Sequence, residues 1–276
     1  MKLTRLLFPL GCLFFIAACG EPPSLGYAPT AGAETPVKVN CRVLLGANGQ
    51  NTDFSLEAQL FETPESPVGD SVVPVRYRFG PFRYYAELPG QPALTYDSRA
   101  GGDTTGTLGG LARLEGRSFA LQLRRDATVA KAERPADSLS GFDWLAPEIT
   151  EALLDLNAVL PNGRVKQGDQ WSSLVKTEVQ GLRLEIPLTW RCDQVLRDKA
   201  LLSFHGVSLP PSASEAYSAG SGTDVVAQGG RRGTATVELS TGRTLQLDAV
   251  DDLKVSLSLG GTNIRYTLGR QFSVGR

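Results

Sequence analysis

Histidine is almost absent. His205 is the only one, in Ser203-Phe204-His205-Gly206. A Ser–His–Asp hydrolase would have to use it, and no G-x-S-x-G elbow supplies the nucleophile. A lone imidazole without a cysteine or histidine cluster is also a poor start for zinc. His205 therefore reads as an ordinary strand residue. There is no Walker loop, and no G-x-G-x-x-G follows a strand and opens a helix. Asp251-Asp252 lacks the spacing of a calcium loop and reads as a turn. No catalytic residue, metal ligand or cofactor is expected. Only catalysis by Asp and Glu, as in glycosidases, stays open. Net charge is scarce too, at −1 for 276 residues, or about −3 without Lys2 and Arg5. That gives no electrostatic case for nucleic acid as a partner.

Long apolar runs are missing except at the start. Met1-Lys2-Leu3-Thr4-Arg5 precedes an apolar run of 13 residues, Leu6–Ala18. This is signal-peptide length, short of the ~20 residues that a membrane-spanning helix needs. Residues 1–18 are thus expected to be a signal peptide. Ile16-Ala17-Ala18-Cys19 resembles the lipobox of bacterial lipoproteins: a branched residue, two small residues, then cysteine. The small residues suit a narrow protease site, and only a thiolate is a ready nucleophile for diacylglycerol. The resemblance implies two or three acyl chains, palmitate among them, on Cys19. Several chains anchor stably where one does not. It also implies export and a membrane partner. Gly20 follows where an inner-membrane retention signal has aspartate, which favours the outer membrane in a host with two.

Cysteine is the next scarcity. Of four, Cys12 leaves with the leader and Cys19 carries lipid, so Cys41 and Cys192 remain. An exported compartment permits a disulfide between them. Such a bond would tie the two halves of the chain together. The alternative is two buried free thiols.

Glycine (30) and proline (17) are plentiful. They favour strands and turns over long helices. Residues 19–35 carry Pro22, Pro23 and Pro29 and little to bury, and read as a lipidated N-terminus and flexible tether. Residues 36–276 read as one β-rich globular unit. Val37, Val39, Cys41 and Val43 alternate with polar residues, as in a half-buried strand. So do Phe54, Leu56, Ala58 and Leu60. Val73–Phe79 and Phe82–Leu88 look like a hairpin across Gly80-Pro81, with Tyr77 and Phe79 inward and Arg76 and Arg78 in water. The mixed stretch Arg76–Tyr85 also suits a surface that meets anionic lipid or glycan. Ile149, Leu153, Leu156 and Leu160 are spaced four, three and four, which predicts a helix over 147–160 between two β halves. Pro147 and Glu148 suit its first turn. Later strands span 172–179, 182–192 and 201–207, then a hairpin turning at Ser240-Thr241-Gly242. Residues 101–110 and 210–233 read as long loops, of the kind that are functional or disordered.

Pro161-Asn162-Gly163-Arg164-Val165-Lys166-Gln167-Gly168-Asp169-Gln170-Trp171 is the sharpest local motif. This P-x-x-x-V-K-x-G-D-x-W run resembles the centre of exported bacterial proteins of uncharacterised function, so no activity comes with it. Its physics is structural: a turn at Gly168, backbone bonding by Asp169, and Trp171 pinning the next strand.

The expected fold is mainly β: a curved antiparallel sheet, half-open barrel or two-sheet unit with one central amphipathic helix. Half-open barrels with a helical lid resemble bacterial lipoprotein and lipid carriers, an analogy of fold alone. The first expectation is a non-enzymatic envelope lipoprotein that binds an apolar or amphiphilic ligand between sheet and helix. It needs an apolar cavity of about 300–1,000 Å³ beside that helix. The alternatives are a structural or assembly lipoprotein that holds another envelope protein, and a carboxylate-based hydrolase. A filled core with an exposed apolar patch favours assembly.

Overall fold

The computed structural model describes residues 22–69, 72–100, 106–133, 145–161, 163–179, 182–209, 224–259 and 262–276. Residues 1–18, expected to be a signal peptide, and Cys19 lie outside these. The first half of the chain gives β1 (Ser24–Leu25), β2 (Thr35–Ala47), β3 (Gln50–Pro64), β4 (Val72–Glu87), β5 (Leu94–Asp97), α1 (Gly106–Ala112), β6 (Ser118–Arg124) and β7 (Val129–Glu133). The second gives α2 (Pro147–Ala152), β8 (Gly163–Arg164), β9 (Gln170–Val179), β10 (Leu182–Val195), β11 (Lys199–Val207), β12 (Asp224–Glu238), β13 (Thr244–Leu259) and β14 (Thr262–Gly275). Twelve strands form one antiparallel sheet, not closed into a barrel, in the order β7-β6-β4-β3-β2-β14-β13-β12-β11-β10-β9, with β5 beside β4. β2 and β14 pair from Lys38–Gly275 to Ala47–Tyr266, so the two halves share one sheet.

The period-2 patterns build this sheet. Val37, Val39, Cys41 and Val43 are buried on one face, with Leu56 and Leu60 of β3 and Leu247, Leu253 and Val255 of β13. The expected hairpin at Gly80-Pro81 is instead one continuous strand, β4. Ala58 pairs with Phe82 but Leu60 with Phe79, so β4 holds an extra residue. That bulge accommodates a proline. It also reverses the alternation: Val75, Tyr77 and Phe79 point inward before it, and Phe82, Tyr84 and Ala86 after it. A Cβ on Gly80 would come within 2.6 Å of the Phe61 ring and 3.1 Å of the Gln59 carbonyl. Asp251-Asp252 is likewise no turn. It lies inside β13, where Asp251 is buried and Asp252 exposed. The loop expected over 210–233 gives way to β12 from Asp224, and that over 101–110 to α1 from Gly106.

The inward face is covered by a strap, residues 145–161, and by the N-terminal segment. The helix expected over 147–160 is only six residues, Pro147–Ala152. From Leu156 the strap is extended, with Leu156, Ala158 and Leu160 buried and Asn157 and Val159 between them less so. A spacing of four is even, so Leu156 and Leu160 share a face in an extended chain as well as in a helix. The tether expected over 19–35 is corrected too. Leu25 and Tyr27 are fully buried, and β1 pairs with β8. The Tyr27 and Ala28 N–H groups donate to the carbonyls of Arg125 and Thr241.

The Cys41–Cys192 bond is not formed; both are buried free thiols. They sit in β2 and β10, five strand steps apart in the sheet order. That is about 24 Å along the sheet at ~4.8 Å per step, against a Cα limit near 7 Å for a disulfide. The halves are joined by strand pairing instead.

Candidate functional site

The inward face is not uniformly apolar. Three consecutive strands place Arg231 opposite Asp251, and Asp251 opposite Arg270. Arg270 and Asp251 are each 2% exposed and bond through Nε at 2.6 Å and Nη2 at 2.5 Å. Burial works against the Arg270 charge, but Asp251 and Asp155 outweigh it and hold its pKa above the ordinary arginine value. A second charged group lies nearer the end of the sheet. Glu62, wholly buried on β3, accepts from Arg243 Nη2 at 3.0 Å and from Arg276 Nε and Nη2 at 2.8 and 2.6 Å. Tyr27 lies near this group. Burial and the neighbouring Tyr77 and Glu62 push its phenol far above the usual range.

Both groups grip the strap. Arg231 Nη1 donates to Asp155 Oδ2 at 2.6 Å. Arg270 Nη1 donates to the Glu148 carbonyl at 3.3 Å and lies 3.8 Å from Glu151 Oε2. Arg276 donates to the Leu156 carbonyl at 3.3 Å and to Asn157 Oδ1 at 3.1 Å. Trp171 Nε1 bonds the Val159 carbonyl, and the Ala158 N–H donates to Thr244 Oγ1. Burial raises the Glu151 pKa against the opposing pull of Arg270 and Thr177. Polar satisfaction is incomplete: Glu148 Oε2, Arg231 Nε and Asp251 Oδ1 are buried without a hydrogen-bond partner. Between strap and sheet, bordered by Asp155, Asn157, Trp190, Phe204 and Arg231, remains a void of about 30 Å³. The cavity of several hundred Å³ expected there is absent among the described residues.

The outward face differs at its two ends. A wide, open groove of about 1010 Å³ crosses it, lined by polar side chains including Arg42, Asp53, Tyr85, Arg232, Asp248 and Gln271. Near the β9 edge the face turns apolar. Leu174 is paired with Pro187, and the Leu188–Gly206 pair sets Val207 beside Pro187. Leu174 and Val207 are 49% and 66% exposed, and Leu209 lies just beyond. Among the described residues β9 ends the sheet order, so one row of its backbone groups has no strand partner there, though the Glu178 N–H reaches Glu151 Oε2 at 3.5 Å.

The residues singled out in the sequence fall in different places. Cys19 lies outside the described residues. His205 is exposed on the outward face of β11. In the central motif, Gly168 has φ +88°, and Asp169 Oδ2 accepts the Lys166 N–H. Trp171 stacks on Trp190 at 6.4 Å. Burial raises the Cys41 thiol to about 12 and also moves Cys192 up. Among the described residues, no group of three or more His, Cys, Asp or Glu could hold a metal ion. No described helix is long and apolar enough to cross a membrane. The inward charges were legible only as breaks in the apolar alternation: Arg270 between Leu268 and Phe272, Asp251 between Ala249 and Leu253. No protein-family model matches the chain, and no curated protein matches its sequence.

Proposed function

We propose that this chain is a non-enzymatic, lipid-anchored envelope protein that holds another envelope protein at its surface. The observation that carries this is the filled interior, seen together with the exposed apolar row at an open sheet edge. A carrier keeps a cavity, whereas here only about 30 Å³ remains beside the strap. An open edge next to Leu174, Pro187 and Val207 offers backbone pairing plus apolar contact, the physics of strand addition. Anchoring rests on Ile16-Ala17-Ala18-Cys19, and Cys19→Ser should leave the membrane fraction. Native mass spectrometry of the protein purified from its own host decides the binding mode. A stoichiometric protein partner that is lost in Leu174→Glu/Val207→Glu supports this proposal. A co-purified lipid with no protein partner overturns it.

A carrier whose strap withdraws is the second reading. It is favoured by one observation: besides its buried apolar side chains, the strap is tied to the sheet by the arginines Arg231, Arg270 and Arg276, whose polar contacts water can replace once it lifts.

A further inference from the structure

Buried arginines are an expensive way to fix a cover. Apolar residues of similar volume often hold as well or better. Yet Arg231, Arg270 and Arg276 all point into the covered face, among Leu247, Leu253, Leu268 and Phe272. Counted without the strap, each charged group on the sheet carries an excess of one positive charge. Arg231 and Arg270 share Asp251, and Arg243 and Arg276 share Glu62. The strap brings the Asp155 carboxylate to Arg231 and Glu151 near Arg270, more than the one negative charge that group lacks, and offers only neutral oxygens, the Leu156 carbonyl and Asn157 amide, at Arg276. Behind Asp155 the extended strap lays Leu156, Ala158 and Leu160 along the sheet, all buried. An anion followed by a thin apolar tail is the outline of an anionic amphiphile.

We infer that residues 145–161 are an internal stand-in for such a ligand. Asp155 occupies the place of a carboxylate or phosphate head, and Leu156–Leu160 the place of an acyl chain. With the strap withdrawn, Arg231 receives the head. Its Nε already faces Asp251 Oδ1 at 3.4 Å, so the head is received at Nη1, the donor that Asp155 takes in the closed form. The chain lies over Leu188, Trp190, Phe204 and Leu247, which already border the residual void. This rests on the second reading, in which the strap moves. It adds the charge of the ligand and the residue that recognises it.

The test uses the chain from Gly20, which contains every described element, without acyl chains. The probes are fluorescent cis-parinaric acid and its uncharged methyl ester. Asp155→Asn removes the competing anion and should tighten parinarate binding by about tenfold, the ester gaining little. Adding Arg231→Gln should abolish the gain. An equal gain for acid and ester overturns the anionic assignment and leaves a carrier of neutral ligands. No binding of either probe by folded Asp155→Asn, checked by circular dichroism, overturns the stand-in and the carrier together. If Asp155→Asn does not fold, Asn157→Ala loosens the strap at Arg276 and Tyr77 and leaves Asp155 in place. Preference of that variant for the acid then supports the inference, and no preference overturns it.

Discussion

Glu62→Gln is the sharpest test of the buried charges. The carboxylate is wholly buried and takes three charge-assisted hydrogen bonds from Arg243 and Arg276, at 2.6–3.0 Å. Glutamine keeps the shape and one acceptor oxygen. It removes the negative charge between two guanidinium groups and turns an NH2 toward their donors. Breaking a buried pair from one side costs about 3–5 kcal/mol, because the remaining charge is left uncompensated. For a chain of this size that is a fall in Tm of roughly 6–20 °C. The comparison is Arg42→Ala, which removes the Arg42–Asp53 pair, where the Arg42 side chain is 57% exposed. An exposed pair contributes about 1 kcal/mol or less. Urea and thermal unfolding by circular dichroism measure both variants. A Glu62→Gln loss as small as that of Arg42→Ala would refute the reasoning. The guanidinium groups would then have to be solvated or balanced elsewhere.

Gly80→Ala should lose about 1–3 kcal/mol, because its Cβ meets the Phe61 ring at 2.6 Å in a packed bulge; unfolding midpoints read this. Cys41, with its thiol near 12, should have about one thiolate in 10⁴ at pH 8. Both thiols should therefore resist Ellman's reagent until the protein is unfolded, and then titrate as two; finding none in the exported protein would restore the disulfide. Glu151 has its pKa raised by burial. The folded state thus holds its proton to higher pH than the unfolded state, and its contribution is lost as pH rises through the folded value. Glu151→Gln should flatten that fall on the high-pH side of the ordinary value of 4.5; an unchanged slope in urea melts at stepped pH counts against it.

Most strands were legible because a sheet with one covered face writes its period directly into the residues. β2 and the hairpin turning at Ser240–Gly242 follow that pattern. Errors arose where one spacing serves two structures. Leu156 and Leu160 fit a helix and an extended strap equally, and the helix stops at Ala152. Gly80-Pro81 suits a turn and a bulge alike. The difference lies in what β3 does opposite, which local composition does not record. Asp251 looked like a turn because charge inside a strand is costly. Its compensation comes from Arg231 and Arg270, 20 and 19 positions away in sequence. The disulfide expected between Cys41 and Cys192 rested on an exported compartment and the two cysteines left in the fold, which say nothing of their distance; a shared β2–β14 seam does the joining instead.

The docked N-terminal segment has a consequence for geometry at the bilayer. With Ser24 and Leu25 held in β1, only Gly20–Pro23 remain as leash between Cys19 and the folded body. From Cys19 to Ser24 the chain spans five residues, at most about 17 Å fully extended. The lipid proposed for Cys19 would therefore do more than hold the protein nearby. It would set the β1–β8 pair and the turns at Arg125 and Thr241 against the headgroups. The Asn48-Gly49 turn then lies at the opposite end, about 40 Å further along the thirteen residues of β2. Under the proposed anchoring, the protein would stand on the membrane with a fixed foot and a free crown, and a partner would be met at a defined height above the lipid.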